Sequence, residues 1–146
     1  VTFTIAPASD TDPAPILALL ERTDLPPDGL RHHLATTLVA RSDSAIVGCA
    51  GVELYGAAAL LRSVAVEPSH QGQGLGQRLT QAALDLARQH GAREVYLLTT
   101  TAGAFFPRFG FEPVTRADVP AAVQQSVEFT SACPVSALVM RLRLDG

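Results

Sequence analysis

Apolar and polar positions follow two rhythms along this chain. Residues 45–55 and 58–66 are nearly continuous apolar runs rich in Val, Ala and Leu, the pattern of buried strands. Between Gly74 and His90 the rhythm becomes helical, with Leu75, Leu79, Ala82, Ala83, Leu86 and Ala87 on one face. Gly91 ends that helix as a left-handed C-terminal residue. An earlier helix is predicted after the turn at 6–10. Asp10 or Thr11 caps it, Pro13 suits its first turn, and Ile16, Leu17, Leu19 and Leu20 form its stripe. Pro26 and Pro27 interrupt the chain, and residues 28–34 form a short second helix.

The remaining segments complete a mixed pattern. Residues 1–5 and 36–41 read as strands, and Ser42-Asp43-Ser44 as a tight hairpin turn into 45–55. Residues 94–99 are a further buried strand, 99–108 a short helix, 118–123 a helical turn, 128–134 irregular, and 137–144 a closing strand. Three consecutive antiparallel strands therefore lead into residues 67–76.

Length and charge narrow the class. The 146 residues suffice for one core and are short for two, so residues 1–146 are read as a single domain. No apolar run approaches the roughly 20 residues of a membrane helix. Val1 opens a strand-like segment with no basic-then-apolar signal peptide. A formal charge of −3 offers no basic field for nucleic acid. Cys49 and Cys133 lie far apart and outside C-x-x-C spacing, so neither a disulfide nor a metal site is expected, and a cytoplasmic protein is the default. His32 and His33 are adjacent, face different sides of a helix, and are read as solvated or rim residues.

Chemistry concentrates in residues 61–76, Leu-Arg-Ser-Val-Ala-Val-Glu-Pro-Ser-His-Gln-Gly-Gln-Gly-Leu-Gly. A strand ends at Pro68, three alternate glycines follow, and a helix begins. Unpaired N–H groups at such a start bind anions. A mononucleotide loop would need Gly-Lys and then Ser or Thr, but Gly76 is followed by Gln77 and Arg78. A dinucleotide loop would need G-x-G-x-x-G near the chain start. Gln71-x-x-Gly74-x-Gly76 after Val64-Ala65-Val66 instead resembles the acetyl-coenzyme A signature of the GCN5-related N-acetyltransferases (GNAT).

That resemblance implies an α/β (α+β) GNAT fold. Its mixed, mainly antiparallel sheet has about seven strands, splayed in the middle, with about four helices around it. It implies acetyl-CoA as co-substrate and no metal. Gln71, Gly72, Gln73, Gly74, Leu75 and Gly76 would hold the pyrophosphate, while Val64, Ala65 and Val66 pair with the pantetheine arm. The backbone N–H of Val66 or a neighbour would polarise the thioester oxygen. The family's Asn-x-x-Ala, Tyr, Leu-Gly-Phe pattern falls on Thr99, Ala102, Phe106 and Phe109-Gly110-Phe111. Phe106 therefore stands where the family keeps a tyrosine acid. An arginine the family carries near Ala6 is also missing. Taken nearly end to end, the chain resembles small acetyltransferases found with arsenic-resistance operons, relatives of the N-acetylglutamate synthase catalytic domain. The Cys133-Pro134 pair is part of that resemblance.

An N-acetyltransferase needs a base within reach of the acceptor ammonium. Glu53 is the carboxylate best placed in sequence, with Tyr55 on its face by strand alternation. Arg62, two residues before Val64 and so on its side of the strand, is the candidate for an acceptor carboxylate, together with Arg108. Cys133 and Ser136, with Ser131, would line the acceptor pocket. The expected partner is a small-molecule amine, amino-acid-like, with an arsenic-bearing glutamate mimic among the candidates, and no nucleic acid or membrane partner. The chain is expected as a monomer or homodimer. Two rivals stand beside this reading: a non-catalytic acyl-CoA-binding module, and a protein or peptide N-acetyltransferase.

Overall fold

A computed structural model describes residues 3–100, 102–132 and 137–144. The order is β1 (Thr4–Pro7), α1 (Pro13–Arg22), β2 (Thr37–Ser42), β3 (Ala45–Tyr55), β4 (Ala58–Val66), α2 (Leu75–Gln89), β5 (Glu94–Thr99), β6 (Glu112–Val114), α3 (Ala121–Gln124) and β7 (Leu138–Arg143). Short 3-10 turns at Leu30–Thr36, Pro68–His70, Phe106–Phe109 and Arg116–Asp118, and a π-turn at Glu128–Ala132, join them. The seven strands make one sheet in the order β1-β2-β3-β4-β5-β7-β6. Every neighbouring pair is antiparallel except β4 and β5. This is the mixed GNAT architecture expected from the sequence.

Several local expectations change. The segment after Pro27 forms a 3-10 turn at Leu30–Thr36, later than residues 28–34 and kinked at His33. Residues 99–108 do not form a helix; a turn leads into the 3-10 turn Phe106–Phe109. Strand β6 was not anticipated, because three residues containing Pro113 carry no period. The N-cap of α1 is Asp12, not Asp10 or Thr11, and its carboxylate does not cap the helix. Oδ2 instead accepts the Ser9 backbone N–H at 2.8 Å and Arg41 Nη2 at 2.6 Å. These hydrogen bonds, Ser9's first, hold Asp12 below the ordinary aspartate range.

The sheet separates two kinds of surroundings. On one face α2 buries Leu75, Leu79, Ala83, Leu84 and Ala87 against Leu38, Ala50, Val52, Ala59 and Leu61. On the other, Ile16, Leu19 and Leu20 of α1 pack on Val39, Cys49 and Ala65. Val119 and Val123 cover Leu60, Tyr96 and Val139 further along that same face. Each fully buried Leu or Ile contributes about 1.5–3 kcal/mol by leaving water. Between these two apolar clusters the face carries Glu53 and Arg62, buried side by side.

Candidate functional site

Strands β4 and β5 begin as a parallel pair, with Ala58, Ala59 and Leu60 opposite Glu94, Val95 and Tyr96. Beyond Leu60 and Tyr96 they part, while β4 stays with β3 as far as Val66 and β5 stays with β7 as far as Thr99. The gap opens a cleft of about 950 Å³, lined by residues 61–66 of β4, 97–99 of β5 with Thr100 beyond it, the 23–28 loop and Glu128. A second cleft, about 780 Å³, continues from it under the glycine loop. Val64, Val66, Gln71, Ala102 and Phe106 line both. Backbone N–H and C=O groups facing such a gap need partners, and an amide-bearing arm laid between the strands supplies them.

A β-bulge sets the edge of the gap. Gly51 pairs with Arg62 but Cys49 pairs with Ala65, so three steps on β4 oppose two on β3. Ser63 takes the left-handed conformation there, at φ 57°. The Cys49 thiol donates to the Ser63 carbonyl at 3.1 Å. Burial pushes that thiol up to about 12, so it stays a protonated donor. The bulge also overturns a prediction. Arg62 does not share the side of Val64: alternation fails at Ser63, so Arg62 joins Leu60 and Glu53 while Val64 packs on the α2 face.

The glycine loop is built for close backbone approach. Gly72 and Gly74 lie at φ 83° and 81°, where a side chain would be strained, and a Cβ on either would meet nothing in the protein. Gly74 is the N-cap of α2, and no side chain caps its free amides. Gly76 faces Val66 and Phe105. Gln71 Nε2 donates to the Val66 carbonyl at 3.1 Å, tying loop to strand. Leu75 sends its side chain into the core, and Gln73 is exposed and lines neither cleft. Thr99 lines the first cleft and its Oγ1 accepts the Ala102 N–H at 2.9 Å. Phe106 is buried at the junction of the clefts, its ring 5.1 Å from Phe105 and 5.8 Å from Phe111.

Glu53 is not presented to either cleft. Its side chain is fully buried, and its oxygens are taken up within the protein. Tyr55 Oη donates to Oε1, and Arg62 Nη1 donates to Oε2 at 2.7 Å. Ser126 bonds the same carboxylate, and His33 Nε2 lies 3.7 Å from Oε2. Burial alone would raise the Glu53 carboxyl, but the hydrogen bonds from Tyr55, Ser126 and Arg62 hold it below the ordinary range. Burial and the bond to Glu53 push Tyr55 up to about 12. Sequence alternation had placed Tyr55 beside Glu53 correctly but could not show how deep the pair sits.

The two arginines predicted to meet one acceptor lie in different places. The Arg62 side chain is 1% exposed, and besides Glu53 it donates from Nη2 to the Asp28 carbonyl and from Nε to Ser63 Oγ at 3.2 Å. Glu128 Oε2 is 3.9 Å from Nη2. Gly29 lets the chain pass here, since a Cβ on it would stand 2.9 Å from Arg62 Nη1. Arg108 lines the second cleft, with the glycine loop, and not the first. Cys133 and Ser136 lie outside the described residues. Among the described residues no group of His, Cys, Asp or Glu is arranged to hold a metal ion.

His33, Asp28, Ser126 and Glu128 converge on this network without having been singled out for it. Burial pushes His33 down; Glu53 pulls it back, and Arg62 and His32 push it down again. Ser126 and Glu128 are more than 60 positions from Arg62, and no local pattern links them.

Known proteins resemble this chain in sequence and in fold. The chain is 28% identical over 93 residues to an amino-acid acetyltransferase of Neisseria meningitidis, a match that covers 62% of this chain and 21% of that protein. It thus spans about a fifth of that relative's length. Its fold superposes on N-acetylglutamate synthase from Neisseria gonorrhoeae complexed with coenzyme A and N-acetyl-glutamate, with a TM-score of 0.86 at 22% identity, over 100% of this chain and 36% of that one. A Mycobacterium tuberculosis protein in complex with CoA superposes with a TM-score of 0.83 at 22% identity, over 97% of this chain and 99% of that one. Residues 33–113, from the turn before β2 through the glycine loop to β6, match the acetyltransferase (GNAT) domain, and the chain belongs to that family.

Proposed function

We propose that this chain is a single catalytic domain that transfers an acetyl group from acetyl-CoA directly to the amine of a small molecule, both substrates bound together. The observation that carries this reading is the parting of β4 from β5 beside a loop held open by Gly72 and Gly74. The loop amides take the pyrophosphate, Val64 to Val66 pair with the pantetheine amides, and the acceptor occupies the first cleft near Pro26 to Asp28. The amine attacks the thioester carbonyl, the C–N bond forms and the C–S bond breaks. A backbone N–H at or near Val66 stabilises the oxyanion. With Phe106 at the junction, the thiolate takes its proton from water, which a thiol of pKa ~8.5 permits.

Glu128 is the carboxylate we assign to take the proton that the acceptor ammonium gives up, because it lines the first cleft beside β4, 3.9 Å from Arg62 Nη2, while Glu53 lines neither cleft. Glu53, Tyr55 and Arg62 act as the floor that fixes β4 and the Asp28 loop. The resemblance to arsenic-operon acetyltransferases and to N-acetylglutamate synthase favours an amino-acid-like acceptor, an arsenic-bearing glutamate mimic included. The pairing of Arg62 with Glu53 favours an acceptor that asks for no strong carboxylate grip. Release of free thiol from acetyl-CoA with a panel of amino acids, their decarboxylated amines, an arsenic-bearing glutamate mimic and a peptide N-terminus tests the reading. Turnover with at least one small amine supports it. CoA binding without turnover on any acceptor means a sensor, and turnover on the peptide alone means a protein acetyltransferase. Gly74→Val should abolish CoA binding in calorimetry.

A further inference from the structure

The two clefts differ in charge. Glu21, Asp24, Asp28 and Glu128 line the first, and its one cation, Arg62, is paired with Glu53. Among the described residues the lining of the second contains no carboxylate, and its cationic or titratable side chains are Arg108 and His70. Arg108 is exposed, with its guanidinium carbon 4.6 Å from the centroid of the Phe105 ring. Among the described residues no carboxylate pairs with it. Phe105 itself packs edge-on against Phe106 and Phe109, so the platform under the guanidinium is fixed from below.

We propose that Arg108 holds the ribose 3′-phosphate of coenzyme A and selects the cofactor that carries it. This rests on acetyl-CoA being the donor. Coenzyme A brings two anionic groups, a pyrophosphate and a phosphate monoester. Gly72, Gly74, Leu75 and Gly76 line the same cleft, and the uncapped start of α2 offers N–H donors to the first. The monoester carries close to two charges at neutral pH and needs a cation of its own. A guanidinium presents a planar fork that matches phosphate, and its stacking on Phe105 orients that fork before the ligand arrives. Arg108 therefore belongs with the donor, and the acid-lined first cleft would repel the phosphates toward it.

Calorimetry with CoA and with 3′-dephospho-CoA on wild type, Arg108→Gln and Arg108→Lys tests this. Wild type should prefer CoA by about tenfold, the scale of one partly exposed charge-assisted contact. Arg108→Gln should lose most of that preference and bind dephospho-CoA within twofold of wild type. Arg108→Lys should retain part of it, and the wild-type preference should shrink on raising NaCl from roughly 0.05 to 0.5 M. The KM of the amine acceptor should not move in either variant. Equal losses for both ligands would assign Arg108 to the pyrophosphate and overturn the proposal, as would an unchanged preference. A wild-type protein that binds neither ligand would defeat the donor reading itself.

Discussion

Arg62 Nη1 meets Glu53 Oε2 at 2.7 Å, with the two side chains 1% and 0% exposed. The pair joins neighbouring strands β4 and β3 on the face between two apolar clusters, and through the Asp28 carbonyl it also holds the loop after α1. Desolvating two charges is costly, so the pair adds little over a well-packed apolar pair. Removing one partner strands the other in the interior, which is expensive.

Arg62→Met should therefore destabilise the fold by about 3–5 kcal/mol, because Glu53 is left charged and buried. Glu53→Gln combined with Arg62→Met should recover much of that loss. Urea denaturation of the two single variants and the double variant gives the coupling. A loss under about 1 kcal/mol for Arg62→Met would mean that water reaches Glu53 freely.

Acid should weaken the fold in two stages. His33 has a folded pKa below its ordinary 6.5, so its stabilising contribution is complete above pH 6.5 and is lost as pH falls through the lowered folded value. Glu53 and Asp12 follow the same sign, beginning below 4.5 and 3.8. Melting temperature should decline from pH 6.5 downward and more steeply below about 4.5. His33→Gln should flatten the first stage and leave the second. A Tm that rises on acidification from pH 7 to 5 would contradict the sign.

The bulge should be sensitive to its one non-glycine left-handed residue. Ser63→Val puts a β-branched side chain at φ 57° and removes the Oγ that receives Arg62 Nε. It should cost at least about 1–2 kcal/mol and weaken CoA binding, because Val64 to Val66 lose their register. Ser63→Gly relieves the backbone while losing the hydrogen bond, and should come within about 1 kcal/mol of wild type. Thermal melts with CoA titration compare them.

Phe106→Tyr should fold normally and transfer acetyl groups at the wild-type rate or faster, with a new alkaline limb in its pH–rate profile if the hydroxyl reaches the leaving sulfur. Phe106→Ala should cost about 3–5 kcal/mol, since the ring is buried against Phe105 and Phe111. A wild-type alkaline limb that vanishes in Tyr55→Phe would identify Tyr55 as a substitute acid and refute the water route.

Six of the seven strands, the α2 helix and the glycine loop are legible in the sequence, because each is written locally, whereas β6 is not. Apolar runs set β3, β4 and β5, a period near 3.6 set α2, and Gln71-x-x-Gly74-x-Gly76 marked the anion cradle. The sequence also put Glu53 and Tyr55 on one face, since residues two apart on an unbulged strand share a side. Only the tertiary structure decided what these residues meet. One left-handed residue at Ser63 broke the alternation that put Arg62 and Val64 on one side of β4, yet Arg62 still lines the first cleft. There it pairs with Glu53, and Ser126, Glu128 and Asp28 arrive from distant segments to complete the cluster. Arg108 went to the second cleft because the chain from Phe106 to Phe109 forms a 3-10 turn against the glycine loop. Local pattern fixes which residues form an element; the side on which a charge finds its partner depends on bulges, turns and chain crossings that no short window of sequence records.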